Sequence, residues 1–351
     1  MRELRGSFTG QEPTIEIKES EIPEKIQPNE ILVKIKACAV DLSTEKTYNR
    51  LLASSLENCS IGHTVSGIVV KKGSNVEKYE EHISVVGVLP FGSGISGCCD
   101  MCVLNQFDTV KKPKDISHEV AAVSLCAGIA AYTAVHYLGH VTAGDTVLVM
   151  DGASPQGYLT IQLAQSFGAK VLSTYRTLTE KQHLENLKTP LAQLIEMTQR
   201  STILASAVME ETGGVGVDCI IDNGVRLFTS EEDKDLMEER SMKSVPHKHD
   251  LLSCLGFAGR WITTNPQLQL DPPDSQQLFL RGGSLSFLFP PAWTLMRAQH
   301  GRFQHILKDV LDRMETGDFK LNDILSLQLE KAAEYLMQEN LDSSKALVVI
   351  P

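Results

Sequence analysis

The sequence has no run approaching the ~20 consecutive apolar residues that a membrane-spanning helix needs, so no span is expected. Nor does it open on an apolar leader. Met1-Arg-Glu-Leu-Arg-Gly carries charge where a secretory signal carries its hydrophobic stretch. Basic clusters are missing as well. The formal net charge is −11 and Lys and Arg form no long runs, which argues against phosphate-backbone binding as the main role. The eight cysteines are scattered, mostly in hydrophobic segments, and suggest no disulfide framework. There is no internal repeat and no low-complexity tract. A cytoplasmic globular protein is the expectation that remains.

What is present is ordinary in bulk and informative in order. The 351 residues suggest two domains, and 42% hydrophobic with 22% charged residues suits a packed core. Residues 1 to about 125 read as strands and turns. Ile31-Leu-Val-Lys-Ile-Lys-Ala alternates apolar and charged residues like a half-buried strand. Gly67-Ile-Val-Val-Lys-Lys-Gly-Ser-Asn and Val85-Val-Gly-Val-Leu-Pro are further strands, and the set suggests a small barrel. From about Ser117 the texture changes: helical stretches alternate with buried strands at Thr146, Lys170, Asp218, Gly259 and Ser284. That alternation predicts α/β architecture with a doubly wound parallel sheet. An acidic stretch beginning Ser230-Glu-Glu-Asp interrupts it and reads as a solvated insert. A helix over Phe303–Met314 and a strand at Leu347-Val-Val-Ile close the chain.

The stretch Val147-Leu-Val-Met-Asp-Gly-Ala-Ser-Pro-Gln-Gly-Tyr158 runs from strand through glycine turn into helix. In a dinucleotide fold the first glycine permits the turn, the second admits the pyrophosphate, and the third lets helix and strand pack closely. Here Gly152 can serve the turn and Gly157 survives inside the loop, but Pro155 has no N–H and Tyr158 brings a ring to the close approach. Candidate phosphate contacts are therefore Gly152, Ser154, Gln156 and Gly157, at a helix N-terminus. The same letters also describe a capped helix start, with Ser154 as N-cap and Pro155 as first helical residue. No Lys-Ser/Thr follows, so this is not a P-loop. Beyond the next strand comes Tyr175-Arg-Thr, with no acid for an NAD ribose. Arg176, helped by Lys181, could meet a 2′-phosphate, so NADP suits this chain better than NAD. A surface arginine after a strand is the plainer alternative.

Gly62-His-Thr-Val-Ser-Gly-Ile-Val-Val, Ala121-Ala-Val-Ser-Leu-Cys-Ala-Gly, Gly216-Val-Asp-Cys-Ile-Ile-Asp and Lys345-Ala-Leu-Val-Val follow one another in a specific order. That order resembles the zinc-free quinone-oxidoreductase branch of the medium-chain dehydrogenases/reductases, over nearly the whole chain. Met150-Asp-Gly-Ala-Ser, Gly224-Val-Arg-Leu, Pro246-His-Lys-His-Asp and Leu270-Asp-Pro-Pro-Asp-Ser resemble its zeta-crystallin-like subgroup. The resemblance implies a GroES-like β-barrel domain from residues 1–125 and 290–351. Between its halves it implies a Rossmann domain at 126–289, with the acidic insert at about 228–250.

The departures from active relatives matter too. Where they read G-A-S-G-G-V-G, this chain has Pro155 and Tyr158. Asp41 stands where zinc enzymes place a catalytic cysteine, Thr64 follows Gly62-His63, and the barrel's Gly-Asp turn becomes His82-Ile83. The four-cysteine zinc lobe is absent. Cys98, Cys99 and Cys102 lack the fourth ligand of a structural zinc site, and His247 and His249 lack a third partner, so no metal is expected.

Two functions follow from the resemblance. One is an NADPH-dependent quinone or enone reductase passing hydride to a conjugated carbonyl, with Tyr48 as oxyanion donor and Asp41 near the same cleft. The other is a degenerate, non-catalytic or weakly active subunit. Subgroup members are components of an early-endosomal Rab-effector assembly, the FERRY complex, which carries mRNA. That implies a protein peripheral to early endosomes, homodimeric, meeting membrane and nucleic acid only through partners. Accumulated losses in the turn favour the second reading.

Overall fold

The computed structural model describes residues 1–7, 14–23, 25–41, 58–197, 202–222, 246–321, 323–338 and 344–351. These fall into two compact units, Met1–Ile129 with Pro290–Pro351, and Ala130–Phe289.

The first unit is built around one long strand, β3 (Glu30–Val40), whose alternation puts Ile31, Val33, Ile35 and Cys38 into the core. It pairs antiparallel with β5 (Thr64–Lys72) along most of its length, and shifts of register at Leu32/Val33 and Ile35/Ala37 bend it. Its first half also pairs with β7 (Met101–Asn105), and its second half with β16 (Ala346–Ile350). The last strand of the chain thus completes a sheet begun near residue 30. A smaller sheet, β2-β1-β4 (Thr14–Glu19, Arg2–Ser7, Cys59–Ser60), supplies Leu4 and Ile15 to the same core. Cys98, Cys99 and Cys102 lie fully buried there and form no disulfide. A hydrogen bond with Cys99 and burial both raise the Cys102 pKa, so it stays protonated. His82 occupies the left-handed region at φ 68 and donates its N–H to Val69 O at 2.8 Å. The imidazole side chain therefore sits at a backbone position that a glycine would fill without strain.

The helix that leaves this unit, α1 (His118–Tyr132), continues as a π-turn to Leu138. These 21 residues are long and apolar enough to cross a membrane by length and composition. That corrects the expectation that no such run exists. The reason for the apolarity is packing: 78% of its most apolar stretch is buried inside the protein.

The second unit is a six-stranded sheet in the order β11-β10-β9-β12-β13-β14, parallel throughout. The central strands β9 (Thr146–Val149), β10 (Lys170–Tyr175) and β12 (Val217–Asp222) are buried on both faces, as sheets covered by helices must be. The order reverses between β9 and β12, the place where such sheets open a crevice at their carboxyl ends. Short β11 (Gln193–Glu196), β13 (Leu255–Thr263) and edge strand β14 (Ser284–Phe287) complete the sheet. Trp261 of β13 is fully buried, and its indole N–H donates to the Asp222 carboxylate, which also accepts from Thr263 Oγ1 at 3.1 Å. This satisfies a buried acid at the end of β12.

Candidate functional site: the turn between β9 and its helix

The helix after β9, α2 (Pro155–Ser166), starts as its sequence dictates. Ser154 is extended and accepts the Gly157 N–H at 3.1 Å, and Pro155 takes the first helical place. The left-handed turn position belongs to Asp151, at φ 53, rather than to Gly152. Gly152 is required for a different reason: a Cβ there would lie 1.9 Å from Ser173 Oγ and 2.8 Å from Ile161. Gly157 is required as well, because a Cβ would approach Asp151 O to 2.3 Å. The close approach is therefore made one residue before Tyr158. This corrects the expectation that Tyr158 costs the turn its packing glycine. The Tyr158 ring turns onto His183 of α3 (Leu178–Glu185), at 4.6 Å between centroids, and burial raises its phenol pKa.

Such a helix start can offer few donors to an anion. Pro155 has none. The Gly157 N–H goes to Ser154 Oγ and the Tyr158 N–H to Ser154 O. Of the two neighbouring donors expected to remain, Gln156 and Gly157, the Gly157 N–H is therefore already engaged within the turn. Ser154 is occupied too, its Oγ donating to Asp151 O at 2.8 Å. At the end of β10, Arg176 Nη2 lies 2.6 Å from Asp151 Oδ1. Lys181 lies over the Tyr175 ring at 5.8 Å and 3.9 Å from Glu185. The residues present offer a dinucleotide Arg176 at its ribose end, already paired with Asp151. They under-provide it at the pyrophosphate end.

Of the remaining candidates, Asp41 follows β3 and is half-buried. Tyr48 lies outside the described residues, as does the acidic insert up to residue 245. Among the described residues no group of three His, Cys, Asp or Glu side chains could hold a metal.

Asp151 was missed although it stood in the motif. Its signal was local: an Asp directly before Gly favours the left-handed conformation. Also missed was the meeting of two subgroup-like stretches, Pro246–Asp250 and Leu270–Ser275. They start α5 (Lys248–Cys254) and α6 (Pro272–Arg281). Lys248 Nζ lies 2.5 Å from Asp271 Oδ1 and 2.8 Å from Oδ2 of the fully buried Asp274, whose Oδ1 has His249 Nδ1 2.5 Å away. Burial works against the Lys248 charge, but the hydrogen bonds to Asp271 and Asp274 outweigh it and raise its pKa. His247 caps α5 by accepting the His249 N–H at 3.3 Å, while Asp250 returns the bond to the His247 N–H at 2.9 Å.

Known proteins agree with this architecture. Residues 27–145 match the alcohol dehydrogenase GroES-like domain. A mycobacterial protein solved in complex with NADPH superposes over 100% of both chains, with TM-score 0.80 at 20% identity. A Pseudomonas syringae quinone oxidoreductase does so over 100% of both, with TM-score 0.78 at 19% identity. GroES-like unit and parallel Rossmann unit together define a medium-chain dehydrogenase/reductase. Mouse quinone oxidoreductase-like protein 1 is 38% identical over 344 residues, 97% of each chain. The chain belongs to the quinone oxidoreductase-like protein 1 family.

Proposed function

We propose that this protein keeps the quinone-oxidoreductase fold as a non-catalytic or weakly active subunit of an early-endosomal Rab-effector assembly of the FERRY type, engaged in mRNA transport. The observation that carries the first half is the spent helix start: one donor is deleted at Pro155, one is consumed by Ser154, and Arg176 is neutralised by Asp151. The assembly itself is an extension from the family. The net charge of −11 supports a chain that meets mRNA and membrane through partners, in the cytoplasm or peripherally on endosomes. Edge strand β14 with half-exposed Phe287, and Phe257, Phe279 and Leu280 at 84%, 82% and 72% exposure, give the Ala130–Phe289 unit apolar surface for a homodimer.

A second reading is favoured by Arg176 and Lys181 at the end of β10: an NADPH-dependent quinone or enone reductase. Bound NADPH would supply hydride to a conjugated carbonyl. This chain would orient it, Arg176 taking the 2′-phosphate and Gln156 N–H one pyrophosphate oxygen. Calorimetric titration of the folded protein with NADPH and NADH separates the two. No heat and no thermal shift at millimolar NADPH is the expected result. Micromolar NADPH binding, abolished by Arg176→Ala, would establish the reductase reading instead.

A further inference from the structure

Arg176 and Asp151 meet through anchored backbones. The Asp151 N–H donates to Thr174 Oγ1 at 3.1 Å, and its carbonyl accepts from Ser154 N at 3.0 Å and Ser154 Oγ at 2.8 Å. The Arg176 N–H donates to Glu180 Oε2 at 2.6 Å. The two side chains are only 29% and 17% exposed, and their charged atoms lie 2.6 Å apart. The pair spans the carboxyl ends of adjacent strands, β9 and β10. An arginine at the end of that second strand is how a dinucleotide fold takes a ribose 2′-phosphate, through short charge-assisted hydrogen bonds.

We propose that Asp151 is an internal stand-in for that phosphate. Its carboxylate holds the Arg176 guanidinium, and a 2′-phosphorylated adenine nucleotide binds only by displacing it. This rests on reading the turn as a remnant dinucleotide site. The nucleotide's affinity is divided by the fraction of molecules in which Arg176 is released, and the displaced carboxylate repels the incoming phosphate besides. Preference for NADP over NAD is therefore suppressed in this chain rather than erased. The residue type makes the point testable. A left-handed turn position accepts Asn as readily as Asp, so Asp151→Asn removes the charge and leaves the backbone contacts in place.

The full-length protein and its D151N, R176A and D151N/R176A variants are titrated calorimetrically with adenosine 2′,5′-bisphosphate and with 5′-AMP. D151N is expected to show bisphosphate binding at least about tenfold tighter than the parent, whose own binding gives little or no heat in the millimolar range, with 5′-AMP little changed and the gain lost in the double variant. Equal affinities of parent and D151N, a gain that survives loss of Arg176, or no binding by either protein overturns the proposal. If D151N melts below the parent, Asp151→Gly carries the same test. Micromolar NADPH binding by the parent would end the non-catalytic reading, and the D151N-to-parent ratio would still decide the stand-in. A D151N variant without gain removes the stand-in and leaves that reading intact.

Discussion

The Ala130–Phe289 unit contains two charged junctions at helix starts, and they are built differently. At the β9–α2 turn Arg176 meets Asp151, both partly accessible, and backbone hydrogen bonds help anchor the two residues. At the start of α5 and α6 one lysine, 6% exposed, is shared by two carboxylates, and a histidine lies beside the inner one. An accessible pair can exchange its anion for a ligand's at little net cost. A pair closed off from water has no such replacement, and breaking it strands a charge. The first junction is thus suited to exchange and the second to holding two helices together, although both use the same chemistry.

Lys248→Met should have the largest effect. It keeps the aliphatic stem but leaves Asp274 without its ammonium, and destabilisation of about 3 kcal/mol is expected in urea unfolding. A loss below about 1 kcal/mol would make this junction no more than another surface pair and dissolve the contrast.

Asp108, in the other unit, is the limiting case of a buried charge without good pairing. Its Oδ1 has no hydrogen-bond partner among the described residues, and His300 Nε2 stands 3.8 Å away. Burial pushes its pKa up to about 6 from 3.8, with the charge of Arg297 pulling the other way. Between those values the folded chain holds a proton that the unfolded chain has released, so stability falls as pH rises through that window. Above it the deficit is complete. Asp108→Asn should therefore match the parent near pH 4. It should exceed the parent by on the order of 2 kcal/mol at neutral pH, as followed by thermal melts across that range. A difference independent of pH would show that its charge is not what costs stability.

Ser154→Ala should have the smallest effect. Loss of the N-cap bond is expected to lower stability by about 1 kcal/mol, read from the urea midpoint. It would return the Gly157 N–H to the anion site. If stability is unchanged, that N–H was never committed and the helix start is not spent.

Much of this was legible in advance because it is set by neighbours along the chain. Alternation at Ile31–Ala37 described β3, and the apolar runs at Thr146 and Asp218 described β9 and β12. Ser154 and Pro155 announced the start of α2 because capping is a contest among residues within one turn. Short β11 escaped notice, since Gln193-Leu-Ile-Glu has too few residues to show a period. The apolar helix from His118 was also underestimated, because a buried core helix and a membrane span share one composition.

The sequence by itself thus determined two domains, a parallel sheet with a glycine turn at its centre, the cap of that turn's helix and the lack of one phosphate donor. Each follows from period, propensity or a missing N–H. Only the tertiary structure decided that Gly157 rather than residue 158 makes the close approach, and that Arg176 has Asp151 for a partner. It alone brought Lys248 to Asp271 and Asp274. Those residues are separated by 20 or more positions along the chain. Charges so separated meet only through tertiary packing: adjacent parallel strand ends bring Asp151 to Arg176, and the neighbouring starts of α5 and α6 bring Lys248 to Asp271 and Asp274. Burial then decides which of these pairs a ligand can open.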